Sequence, residues 1–139
     1  YPASNCRYYF GKPESYYPQI RFAQLMEQNK RQDEITLLNY CFLDGGFYLK
    51  SGALLPDTRF FCRLNIPKDQ LPEMYQEQDR IVQEGAVEFV VVRYRMREHL
   101  WRKEPCAALT ELYTLIGTAE EAHDGYRYEL YQLREGSIA

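Results

Sequence analysis

Apolar residues fall in two rhythms along this chain. Between residues 18 and 32, Ile20 and Ala23 together with Phe22, Leu25 and Met26 recur at spacings of three and four, predicting an amphipathic helix that opens at Pro18. Residues 35–40 (ITLLNY) then run almost unbroken in apolar character between turn signals, the pattern of a strand buried on both faces. Residues 47–51 read as a short helical piece closed by Gly52, and Pro56-Asp57 marks a turn before a second apolar strand at 60–65. The clearest helix is 67–84, with Leu71, Met74, Tyr75, Gln78, Ile81 and Val82 on one face. Pro72 lies near its start, and Gly85 stands where a C-terminal cap belongs. The β-branched run VEFVVV, residues 87–92, predicts a third strand.

Residues 1–15 show no clear period and read as an extended lead-in, with a short strand at 7–10. Residues 105–109 suggest a short helix. Residues 112–117 and 126–133 flank His123-Asp124-Gly125 as a terminal hairpin. In its second arm Tyr126, Tyr128 and Leu130 alternate with Arg127, Glu129 and Tyr131, as a half-buried strand requires. Helices alternating with strands, then a hairpin, predict an α/β three-layer sandwich with a mainly parallel central sheet and a C-terminal antiparallel hairpin. No internal repeat or low-complexity linker divides residues 1–139, so one domain is expected. The opening Tyr1-Pro2-Ala3 has no initiator Met and no signal region, which predicts a piece of a longer protein.

Composition narrows the function classes. With 45% hydrophobic and 27% charged residues the chain is expected to fold rather than stay disordered. No window approaches the roughly 20 apolar residues of a membrane-crossing helix, so a soluble domain is expected. The formal charge of −3 argues against nucleic acid as a partner. That average conceals a polarity: residues 93–103 carry +4, leaving −7 on the rest. The four cysteines contain no CxxC pair and only two histidines exist, so the spacing of a zinc site is absent and no metal is expected. Cys41 and Cys62 fall in apolar runs and read as core residues. Thirteen tyrosines suit half-buried strands, and also sugar or headgroup contacts.

Two stretches could carry binding chemistry. Asp44-Gly45-Gly46, with Tyr48 beyond it, follows a predicted core strand at the place where open α/β sheets bind ligands. Glycine-freed amides could hold an anion there, although neither GxGxxG nor GKS/GKT is present, and a tight turn capped by Asp44 needs no ligand. The second stretch holds Arg93, Arg95, Arg97, Arg102 and Lys103, with the sole tryptophan, Trp101. Continued strand geometry places the first three arginines on one face near the carboxyl end of strand 87–92. Guanidinium forks suit phosphate and indole suits a lipid interface, so an anionic headgroup or phosphate is the expected contact. There is no GxSxG elbow, and His99 and His123 have no evident partner, so no catalytic residue and no cofactor is expected. On residues alone, a nucleotide or small-molecule binding module and a protein-interaction domain remain open.

The phrase TLLNYCFLDGGFYLKSGALLPDTRFFCRLNIP, residues 36–67, resembles the carboxyl-terminal soluble domain of bacterial multi-spanning membrane glycosyltransferases, the dolichyl-phosphate-mannose mannosyltransferase-like group of the C superfamily. IRFAQLMEQ before it, EMYQEQDRIVQEGAVEFVVVR after it and a final YRYELYQLRE keep the same order, so the resemblance spans most of residues 16–135. It rests on Leu38, Asn39, Asp44, Gly45, Gly46, Phe47, Tyr48 and Pro56. The resemblance implies an extracytoplasmic accessory domain attached to the membrane-embedded remainder of the same chain, where a polyprenyl-phosphate sugar donor is used. It implies a membrane surface, and a glycan or lipid-linked sugar, as partners. The acidic catalytic loops of that family lie in the membrane part, so no catalytic residue transfers to this chain.

Overall fold

A computed structural model describes residues 18–40, 47, 51–53, 69, 71–95, 100–101, 104–121 and 125–135. The predicted strands at 7–10 and 60–65 and the residues Cys41, Cys62, His99 and His123 lie outside the described residues.

Helix α1, Pro18–Asn29, forms where the three-and-four spacing places it, and buries Phe22 and Met26. Each buried side chain of that size contributes on the order of 1.5–3 kcal/mol. Strand β1, Leu37–Tyr40, is buried at all four positions. Residues 47 and 51 are helical, Ser51 Oγ donates to the Phe47 carbonyl at 2.7 Å, and Gly52 turns the chain at φ 69°. Helix α2, Leu71–Gln83, starts at the proline end of the expected span, since Pro72 needs no amide partner in a first turn and Glu73 complements the helix dipole. It ends in a Schellman motif. Gly85, at φ 61°, donates to Val82 at 3.1 Å while Ala86 donates to Ile81 at 3.0 Å.

Strand β2, Phe89–Arg95, follows, then the two-residue β3, Leu100–Trp101. Helix α3, Ala108–Leu112, begins three residues later than the sequence suggests, because Pro105 precedes rather than enters it. Strands β4, Tyr113–Glu121, and β5, Tyr126–Leu133, close the described chain as the expected hairpin, with Gly125 at φ 71° in the turn.

The sheet order is β1-β2-β5-β4, with β3 also paired to β2. Among the described residues, only β1 and β2 run parallel. The β2–β3, β2–β5 and β4–β5 pairs are antiparallel, which corrects the mainly parallel sheet expected from the element order. The reason is neighbour choice. β5 pairs along seven residues of β2 instead of hanging at the periphery, so the hairpin supplies half of the main sheet path. The protein is thus an α/β fold with an open mixed sheet.

Alternation along the strands splits the core in two. Leu38, Tyr40, Val90, Val92 and Leu133 join Ile81 and Val82 of α2 and Leu109 of α3. Leu37, Phe89, Val91, Tyr128 and Leu130 join Phe22 and Met26 of α1 with Phe47. At Gly117, beside a bulge in β4, a Cβ would stand 2.5 Å from a Leu25 methyl, so the missing side chain lets α1 approach the hairpin.

Candidate functional site

The carboxyl end of the parallel pair gathers the described part of the basic segment. Strand β2 continues past the apolar run through Arg95, and its cross-strand partner there is Tyr126. Side chains two residues apart on a strand share a face, so Arg93 and Arg95 both reach that ring. The Arg93 guanidinium carbon lies 4.4 Å from the Tyr126 centroid and that of Arg95 lies 5.5 Å away. Arg95 Nη2 also donates to Tyr126 Oη at 3.1 Å. Ring quadrupole and hydroxyl together orient two forks at one place, each stack contributing on the order of 0.5–1 kcal/mol.

Behind this pair runs an aromatic row. Tyr126 meets Tyr128 edge-on at 6.4 Å, Tyr128 meets Phe47 at 5.5 Å, and Phe47 meets Phe22 of α1 at 5.8 Å. Phe47 is the residue that follows Asp44-Gly45-Gly46 in sequence. Asp44, Gly45, Gly46 and Tyr48 lie outside the described residues, as do Arg97, Arg102 and Lys103. The backbone of Trp101 pairs with Tyr94 in the β2–β3 ladder. Of the expected anion-contact residues, the structure therefore brings together Arg93 and Arg95 and adds Tyr126. Sequence reading placed Tyr126 only as a strand residue. The register that sets it opposite Arg95 is a non-local fact.

On the other face, at the end of β1, Tyr40 Oη donates to Asp79 Oδ1 of α2 and accepts the Cys106 amide at 3.1 Å. Burial, then the Asp79 hydrogen bond, pushes the Tyr40 phenol far above its ordinary value. Burial likewise raises Tyr113, whose hydroxyl donates to the Val87 carbonyl at 2.6 Å, and Tyr131. A phenol held this strongly protonated serves as a hydrogen-bond donor at neutral pH and not as a base. These groups brace the core.

A comparison with known proteins returned no matching family, no similar curated protein and no similar solved structure.

Proposed function

We propose that this chain is an accessory extracytoplasmic domain of a multi-spanning membrane glycosyltransferase, binding an anionic group at its basic edge to position a lipid-linked donor or an acceptor. It performs no chemistry of its own in this reading. The observation that carries it is the convergence of Arg93 and Arg95 on Tyr126 at the carboxyl end of β2. Guanidinium forks prearranged by a ring suit phosphate oxygens, because ordering two long side chains beforehand lowers the entropy lost on binding. The segment resemblance supplies the membrane context. With α1 on one face and α2 and α3 on the other, the domain is read as a three-layer stack that presents this edge at the end of its sheet.

Vesicle sedimentation tests the reading. The chain is expected to bind vesicles containing phosphatidylglycerol and not vesicles of phosphatidylcholine alone, with binding falling as salt rises. Replacing Arg93 and Arg95 by Ala is expected to weaken binding about tenfold, which corresponds to roughly 1.4 kcal/mol. Equal association with both vesicle types overturns the headgroup contact. A coding sequence without a multi-spanning region ahead of Tyr1 overturns the glycosyltransferase context.

A further inference from the structure

The opposite end of the sheet holds a cavity of about 250 Å³. Its walls include Arg31, Thr36, Ala86, Glu88, Arg134 and Glu135. Glu88 is a carboxylate only 7% exposed. It accepts the Arg31 amide, at 3.0 Å on Oε2 and 3.4 Å on Oε1, and Gln132 Nε2 at 2.8 Å on Oε2. Among the described residues no cationic side chain stands within ion-pair distance of it. The side-chain hydrogen bonds that the structure records for both nearby guanidiniums go to groups other than Glu88. Arg31 Nη1 donates to the Leu133 carbonyl, and all three nitrogens of Arg134 hold Thr110 O, Glu111 O and Thr114 Oγ1 on the α3 side.

A buried carboxylate is costly without a compensating charge. Its two oxygens offer about four acceptor sites, and Oε1 has only the long 3.4 Å contact. A charge of one sign, spare acceptor capacity and an adjoining cavity are the attributes of a seat for an ammonium group. Arg31 uses one of five guanidinium donors, so an anionic substituent on the same molecule has a partner at the rim. We infer that this cavity binds a small molecule bearing a primary ammonium and an anionic group, the ammonium on Glu88 and the anion toward Arg31. The site is independent of the basic edge, since it lies at the start of β2 and the edge lies at its end.

Amide chemical shifts of the 139-residue chain, titrated with four probes, test this. β-Alanine and ethanolamine phosphate carry both charges and differ in the anion. Propylamine carries the ammonium alone and propionate the anion alone. Saturable shifts at residues 31, 86 and 88 are expected with the first two, weaker binding by at least about threefold with propylamine, and none with propionate. A preference between the first two names carboxylate or phosphate as the anion. Glu88→Gln keeps the shape, removes the charge and is expected to weaken β-alanine at least about tenfold. Should that variant unfold, Ala86→Trp decides, because Ala86 is an exposed wall residue whose enlargement fills the cavity while the Glu88 side chain stays in the sequence. The inference is overturned if none of the probes shifts these amides at roughly 10 mM, if propionate binds as well as β-alanine, or if the charge-free or blocked variant binds unchanged.

Discussion

The two ends of the parallel strand pair solve opposite problems. At the start of β2, Glu88 is enclosed by the loop after α1, the end of β5 and Thr36, whose hydroxyl accepts the Glu88 amide at 2.8 Å. Gln132 completes the clasp by donating to both Glu88 and the Asn29 carbonyl at 2.8 Å. At the finish of β2, Arg93 and Arg95 spread positive charge over the half-buried ring of Tyr126. One end spends its polar groups on holding three chain segments together. The other holds two cationic groups in place at the surface. Substitutions at the amino end should therefore act first on stability, and those at the carboxyl end first on attachment to anionic surfaces.

The largest expected effect comes from alkaline pH, which acts on the interior between the two ends. The Tyr40 and Tyr113 phenols are raised in the folded protein by burial, so the native state holds protons that the unfolded state releases above about pH 10. The stability they contribute is complete below that value and is lost as pH rises, at about 1.4 kcal/mol per pH unit for each phenol. Urea unfolding at stepped pH, read beside the phenolate absorbance, checks it. Phenolate formation by these groups ahead of unfolding would show that they are reached by solvent.

Next in size, Glu88→Ala strands the Arg31 amide and one donor of Gln132, and is expected to cost about 2–4 kcal/mol in chemical denaturation. Gly117→Val, which drives a side chain into Leu25, is expected to cost about 1–3 kcal/mol. Arg95→Ala should cost less than about 1 kcal/mol in the same assay while weakening attachment to anionic vesicles several-fold. A reversed ranking, with Arg95→Ala more destabilising than Glu88→Ala, would break the division of labour between the two ends.

Much of this arrangement is legible in the sequence, and the legible part is local. The α2 face of Met74, Tyr75, Gln78, Ile81 and Val82 packs as its spacing predicts, because a helix converts sequence distance directly into angle. The doubly buried β1 and the closing hairpin follow for the same reason. Neighbour order in the sheet is different: nothing in the alternation of β5 states that it lies against β2 and makes the sheet mixed. Arg93 and Arg95 are visible as a charged run, whereas Tyr126 joins them only through that register. Glu88 is further from view. It sits inside an apolar, β-branched run as the second residue of the expected strand 87–92, and its partners lie 57 and 44 residues away.

The smallest expected effect tests how the basic edge is organised. Tyr126→Phe removes the hydroxyl that accepts Arg95 Nη2 and keeps the ring beneath both guanidiniums. A partly exposed hydrogen bond of this kind is worth at most about 1 kcal/mol, so the variant should unfold within about that margin of the parent. Tyr126→Leu keeps a comparable apolar volume but removes the ring quadrupole that draws the cations together. If the ring is the organiser, the Phe variant retains most of the vesicle affinity and the Leu variant loses several-fold. If both lose equally, the hydroxyl holds Arg95 and the stack is incidental. If neither changes, the arginines need no scaffold and the edge acts only as diffuse positive charge, a result the salt dependence would repeat in both variants.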